Sequence, residues 1–135
     1  MKIFHDVFRW FIAGVTYLVT YSIGGVDMAL SVLLFCITFD YITGVLSAIV
    51  NKELSSAIGY KGIFKKVGIL IAVALGHLIG VYLNFEVRAW VIGYYIANEG
   101  ISILENLGYI GVPYPERFLN VLKQLKKESG SDDDK

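Results

Sequence analysis

The chain has 135 residues, its 12 lysines and arginines are balanced by 12 aspartates and glutamates, and its mean hydropathy is +0.60. With glycine counted as apolar and tyrosine left out, about 60% of the residues are apolar, against roughly 45–50% in soluble domains. Because small soluble domains need relatively more polar surface, this composition argues against a soluble α/β domain and excludes a disordered chain. The composition indicates an integral membrane protein, and its single cysteine excludes an internal disulfide.

Charged residues divide the chain into four long apolar stretches. The first, 10–26, contains no charged residue, and the second, 28–50, contains only Asp40. The third, 67–85, is uncharged apart from His77. A helix that crosses a bilayer needs about 20 residues, with a range of roughly 17–25. All three stretches are therefore predicted to be transmembrane helices.

The fourth stretch, 87–104, is the weakest candidate because it contains Arg88, Asn98 and Glu99. Its apolar residues roughly balance the insertion cost of these polar groups, so it needs neighbouring helices to stay in the membrane. We predict an all-α integral membrane protein with about four transmembrane helices, three being the alternative. Residues 1–128 are expected to form a single membrane domain.

Basic residues predict the orientation of the chain. They precede the first stretch, fill the connection 51–66 and follow the fourth stretch, whereas the other two connections are short. Four spans place all these segments on one side, so both termini are expected in the cytoplasm, whereas three spans would split them. The lysines expected at the lipid headgroups are Lys52, Lys61, Lys65, Lys66, Lys123, Lys126 and Lys127.

The C-terminal segment follows Pro113 and has apolar residues at helical spacing. This pattern predicts a short amphipathic cytoplasmic helix over 115–127, which is either bound to the membrane surface or docked. The alternative is a positively charged topology anchor without further function. Residues 129–135 are polar and acidic, and they are predicted to be disordered.

Polar residues within the apolar stretches are candidates for function, because such groups normally face protein or water. Asp40 shares a helix face with Cys36, Thr43, Gly44 and Ser47, and this face either lines a water path, meets another subunit or fixes internal packing. His77 is either a pH-sensitive partner of an acidic residue or a neutral hydrogen-bonding group. In the fourth stretch, Asn98, Ser102 and Glu105 share a face, with Glu99 alongside. The residues predicted to line a pore or to form buried polar contacts are Asp40, Thr43, Ser47, His77, Asn98, Glu99, Ser102 and Glu105.

Small residues recur at a spacing of four in the third and fourth stretches. Such ridges let helix backbones approach closely, and we expect them to serve self-association, with packing inside the chain as the alternative. The residues predicted to pack helices are Gly44, Gly68, Ala72, Gly76, Gly80, Ala89, Gly93 and Ala97.

The sequence offers no catalytic arrangement. His5 and His77 are its only imidazoles, and no nucleophile has an adjacent base. We expect no enzymatic activity, no cofactor or metal, and no nucleic-acid partner.

Several motifs together resemble the phage-lysis and toxin-secretion holin family. The resemblance covers roughly residues 35–125, and it departs from the family at Gly80, where an acidic residue is usual. The motifs are Phe39-Asp40-Tyr41-Ile42-Thr43-Gly44, Asn51-Lys52-Glu53-Leu54-Ser55-Ser56, Gly59-Tyr60-Lys61-Gly62-Ile63-Phe64-Lys65-Lys66, Ile96-Ala97-Asn98-Glu99-Gly100-Ile101-Ser102-Ile103-Leu104-Glu105-Asn106 and Gly111-Val112-Pro113.

The resemblance implies a protein that accumulates in a bacterial cytoplasmic membrane, contacts membrane lipids and forms a homo-oligomer. It then opens a lesion through which an endolysin or a toxin leaves the cell. Two other classes stay open. One is a small ion channel or proton-coupled transporter with a relay of Asp40, His77 and Glu99, and the other is a structural subunit of a membrane complex.

Overall fold

The computed structural model describes residues 1–130, except for the side chain of Ile58. The described residues form five α-helices and no β-strand, so the prediction of an all-α protein is confirmed. From residue 131 onward, the tail predicted to be disordered lies outside the described residues. The helices are α1 (Lys2–Ile23), α2 (Met28–Val50), α3 (Ser56–Leu83), α4 (Val87–Ile110) and α5 (Glu116–Glu128).

The connection before α3 is shorter than predicted. We expected a basic loop over 51–66, but only 51–55 are non-helical and α3 begins at Ser56. The loop prediction is wrong because lysines interrupt an apolar stretch without interrupting a helix, since lysine is a good helix former. For the same reason, α1 begins at Lys2 and not near residue 10.

Tight reversals end the first four helices. At the end of α3, the N–H of Phe85 donates to the carbonyl of Gly80 at 2.9 Å, as in a Schellman motif. A methyl group at Gly80 would lie 2.7 Å from the Phe85 carbonyl oxygen, so a side chain at this position requires the backbone of the turn to shift. The residues with positive φ in these reversals are Gly24, Gly25, Lys52, Asn84 and Gly111.

Helix α4 is central to the packing, because it contacts α2, α3 and α5. Its contact with α2 is the most extensive. By contrast, the backbone of α1 approaches only α3 among the described helices, and α1 contains no buried residue. The main apolar cluster joins α2, α3 and α4 through Leu30, Leu33, Ile69, Val73 and Ile92.

The exterior of the helices is largely apolar. Phe35 on α2 and Leu75 and Val81 on α3 are all more than half exposed. Helix α2 and residues 59–83 of α3 are long and apolar enough to cross a membrane, by length and composition alone. Large exposed apolar surfaces are unusual on monomeric soluble proteins, so this exterior suits a lipid environment.

Candidate functional site

Asp40 of α2, Lys66 of α3 and Glu99 of α4 meet inside the helix bundle. The Lys66 ammonium donates hydrogen bonds to Asp40 Oδ2 and to Glu99 Oε2. The side chains of Lys66 and Asp40 are 12% and 10% exposed, and that of Glu99 is fully buried. We call these three residues the charge triad. A further lysine, Lys65, is 55% exposed and its Nζ lies 3.9 Å from Glu99 Oε1.

Pairing explains how these charges can lie within apolar helices. A buried charge is unfavourable unless it is paired and hydrogen-bonded. At the centre of a membrane helix, an aspartate or a lysine costs about 2.5–3.5 kcal/mol on an insertion scale. Because Lys66 is held between two carboxylates, none of the three needs to face lipid.

Amide and hydroxyl groups complete the surroundings of Asp40. Asn106 Nδ2 donates to Asp40 Oδ1 at 3.2 Å and to Thr43 Oγ1 at 3.1 Å. Ser102 lies beside them and lines the same cavity as Asp40 and Asn106. Within residues 1–130, every buried side-chain nitrogen and oxygen atom has a hydrogen-bond partner. The polar interior is therefore fully satisfied in this arrangement.

A groove of about 320 Å³ between α2 and α3 reaches the charge triad. Asp40 and Lys66 line it together with Ser102 and Asn106. Its volume exceeds that of a single water molecule many times, and these four side chains offer water hydrogen-bond partners within a largely apolar lining. The groove thus gives water a route to Asp40 and Lys66 of the charge triad.

Lys66 was assigned to the lipid headgroups from the sequence, and that assignment is wrong for this residue. Its ammonium group is instead buried between two carboxylates. A spacing of three and four residues along α3 could have shown this, because it places Lys66 on the same face as the buried residues Ile69 and Val73.

The polar face of α4 is shifted by one residue from the predicted face. The structure brings Glu99, Ser102 and Asn106 to the interior, where they face Asp40. Asn98 is adjacent, and its Nδ2 lies 3.4 Å from Glu99 Oε1. Glu105 is exposed and does not join the charge triad.

Two other predicted polar residues lie elsewhere. Ser47 is buried about two turns from Asp40, and its Oγ accepts a hydrogen bond from Asn51 Nδ2 at 3.4 Å. His77 lies beside Gly24 at the opposite end of the bundle. It is 11 residues from Lys66, or about 16 Å along α3. The predicted relay of Asp40, His77 and Glu99 is therefore not assembled.

A second polar centre, which the sequence did not reveal, lies at the end of the bundle near His77. Arg88 Nε donates to the carbonyl of Ile23 at 2.6 Å, and its NH1 lies 2.7 Å from Asp27 Oδ2. Asp27 also caps α2 by accepting from the N–H of Leu30 at 2.9 Å. The hydrogen bond from Arg88, followed by that from Leu30, lowers the pKa of Asp27. One arginine of α4 therefore joins the end of α1 to the start of α2.

Part of the predicted small-residue ridge of α3 packs against other segments of the same chain. A methyl group at Gly76 would lie 2.9 Å from Val91 Cγ2, and Gly80 is enclosed by the α3–α4 turn. Ala72 is half-buried, whereas Gly68 is exposed, and a methyl group added there would have no neighbour within 4 Å. On α2, Gly44 lies beside Asn106.

The second ridge lies on α4. Gly93 is half-buried and Ala97 is buried, whereas Ala89 is exposed. Gly93 is adjacent to Ser129, just beyond α5.

Helix α5 docks along α4. Leu122, its buried residue, packs on Gly100, and Lys126 Nζ lies 5.8 Å from the centre of the Tyr94 ring. Lys126 is half-buried as a result. The exposed lysines among those assigned to the headgroups are Lys52, Lys61, Lys65, Lys123 and Lys127.

Comparison with known proteins gives one family. The model of the bacteriophage holin family matches residues 17–127. An uncharacterized protein of Listeria monocytogenes is 40% identical over 96% of this chain and 94% of its own length. An uncharacterized 14.9 kDa protein of Clostridium perfringens is 42% identical over 89% of this chain and 93% of its own length. A probable holin of Bacillus phage phi105 is 35% identical over 67% of this chain and 68% of its own length. No solved structure matches the chain.

Proposed function

The chain belongs to the bacteriophage holin family, and we propose that it self-associates in a bacterial cytoplasmic membrane and opens that membrane to release an endolysin or a toxin. Membership of this family points to a non-enzymatic membrane protein. The observation that carries the proposal is the charge triad, because it stores three ionisable groups inside otherwise apolar helices.

In the proposed topology, α1 to α4 cross the membrane and both termini lie on the cytoplasmic side. The distribution of basic residues supports this orientation, because Lys52 and Lys61 lie near the α2–α3 reversal and further lysines follow α4. The short α1–α2 and α3–α4 connections then lie on the outer side.

The charge triad couples helix separation to the entry of water. While α2, α3 and α4 stay together, the Lys66 ammonium donates a hydrogen bond to each of the carboxylates of Asp40 and Glu99. If these helices separate in lipid, each charge loses its partner, which is unfavourable. If they separate while water enters, the same groups become hydrated. The opening of an assembly of several copies is therefore favoured over a partly opened single copy.

Regulated expression in bacteria tests this function, with marker enzymes of graded size in the cytoplasm. A holin should stop growth abruptly and release the markers. An ion channel or transporter should move ions without releasing protein, and a structural subunit should do neither by itself. Release of ions alone would overturn the proposal.

Asp40→Asn tests the part played by the charge triad. It removes the charge that faces Lys66, and we expect a shift in the time of release. Thr38→Val is the matched control, because Thr38 lies two residues away on the exposed side of α2 and bonds only its own helix. Equal release times for both variants and the unchanged chain would contradict the proposed coupling.

A further inference from the structure

Helix α5 lies at the same depth as the charge triad. Leu122 packs on Gly100, the residue that follows Glu99. Tyr114, before α5, packs near Gly108, and Ser129, after it, lies beside Gly93. The helix therefore runs antiparallel to α4 along 15 residues of it, or about 22 Å.

The two sides of α5 differ strongly. Leu122 is buried on α4, and Leu119 and Leu125 beside it are half-buried. The opposite side is polar and exposed, since residues two positions away along a helix point about 200° away. This polar face consists of Glu116, Arg117, Asn120, Lys123, Gln124, Lys127 and Glu128.

Lipid cannot solvate this polar face. Lysine and arginine are among the least favourable residues at the centre of a membrane helix. In a bilayer crossed by α2 and α4, the docked position of α5 therefore requires water along the side that faces away from α4. At the cytoplasmic surface, by contrast, anionic headgroups would attract the same basic residues.

We propose that the polar face of α5 lines the aqueous opening of the membrane, with Leu122 seated on Gly100 of α4. The proposal rests on the holin function proposed above and names a segment that lines the lesion. Residues 111–115, which begin with Gly111 at φ +94°, connect α4 to the docked helix.

A reversible disulfide can hold α5 in the docked position. A methyl group at Gly93 would lie 3.1 Å from Ser129 Oγ, so Gly93→Cys with Ser129→Cys suits a disulfide. The native cysteine is removed by Cys36→Ala. The full-length variant is reconstituted into vesicles of phosphatidylethanolamine and phosphatidylglycerol that contain a fluorescent dye. Dye release is then compared between oxidised and reduced protein, and a gel shift reports the cross-link.

We expect the cross-link to form and the oxidised protein to release dye at least as fast as the reduced protein. Two outcomes would overturn the proposal: no cross-link forms in vesicles, or the oxidised protein retains dye that the reduced protein releases. The Cys36→Ala parent separates this result from the holin function. If the parent itself releases no dye, the proposed function fails, whereas release by the parent alone refutes only the role of α5.

A second pair of variants tests the polar face directly. Asn120→Leu with Gln124→Leu replaces the two residues directly opposite Leu122 by apolar ones, and we expect slower dye release. Phe118→Leu with Val121→Leu is the matched control, because both residues are exposed but apolar, and release should be kept. Both double variants are also made with the 93–129 cross-link to verify that α5 still docks. Equal release by the two would refute the proposal.

Discussion

The guanidinium group of Arg88 lies 2.7 Å from the carboxylate of Asp27, although the two residues are 61 positions apart. The same group donates to the main-chain carbonyls of Ile23 and Gly25. Because α1 buries no residue of its own, this arginine is a principal tie between α1 and the other helices.

Loss of Arg88 should change the titration of Asp27. The arginine holds the pKa of Asp27 below its ordinary value, and the Leu30 N–H contributes less. In Arg88→Gln, we expect this pKa to rise toward the ordinary value, as measured by NMR of the carboxyl group in detergent micelles. An unchanged pKa would show that the contact is absent in solution.

The same contact predicts the direction of a pH effect on stability. Since the folded chain holds the pKa of Asp27 below its unfolded value, the contribution is complete above the unfolded value. It is lost as the pH falls through the lowered folded value. Melting temperature against pH should therefore fall less steeply in acid for Asp27→Asn than for the unchanged chain. Parallel curves would argue against this linkage.

Lys66→Met should destabilise the bundle strongly. It leaves two buried carboxylates without their cation, and breaking a buried ion pair costs roughly 3–5 kcal/mol. Lys65→Met is the matched control, because Lys65 is 55% exposed and 3.9 Å from Glu99, so its effect should be at most about 1 kcal/mol. Unfolding in detergent measures both. Similar losses of stability for the two variants would show that Lys66 is not buried between the two carboxylates.

Removal of all three charges should separate stability from function. Asp40→Leu, Lys66→Met and Glu99→Leu together leave no unpaired charge, and such replacements are often neutral or stabilising by about 1–4 kcal/mol. We expect a chain that folds at least as well as Lys66→Met but releases no marker enzyme. Marker release at the normal time by this stable variant would show that the charge triad is dispensable for opening.

Gly80 and Gly68 should respond differently to the same substitution. Gly80→Ala places a methyl group 2.7 Å from the Phe85 carbonyl oxygen, and we expect a loss of about 1–3 kcal/mol. Gly68→Ala meets no neighbour within 4 Å and should gain up to about 1 kcal/mol from helix propensity. Thermal unfolding of both variants in the same detergent compares their stabilities. A loss of stability for Gly68→Ala as large as that for Gly80→Ala would contradict the close contact of Gly80 with the α3–α4 turn.

The sequence predicted the local structure well where one signal dominates. The bounds of α2 coincide with the second apolar stretch, 28–50, because Asp27 and Asn51 flank an apolar run in which Asp40 is the single charged residue. The start of α3 was missed because the lysines before residue 67 end the apolar run but continue the helix. Hydrophobicity thus predicted what can enter lipid, whereas helix propensity decided where the helix begins.

The polar interior was predicted only in part, because pairing is a tertiary property. Asp40 and Glu99 stood out as isolated charges in apolar stretches, but their partner Lys66 lay among other lysines and resembled a surface residue. The partnership of Arg88 with Asp27 was equally hidden, since it joins residues 61 positions apart. The docking of α5 depends on the contact of Leu122 with Gly100, and this contact cannot be predicted from helical spacing alone.

The separation of the charge triad along the chain bears on its biogenesis. Asp40 and Lys66 emerge from the ribosome as a neutral couple, and Glu99 follows only 33 residues after Lys66. A nascent hairpin of α2 and α3 can therefore enter the bilayer with Asp40 and Lys66 already paired, and the Lys66 ammonium has a further N–H to donate to Glu99 of the next helix. The marginally apolar α4 would be drawn in by a residue translated well before it, so synthesis order itself helps to complete the bundle.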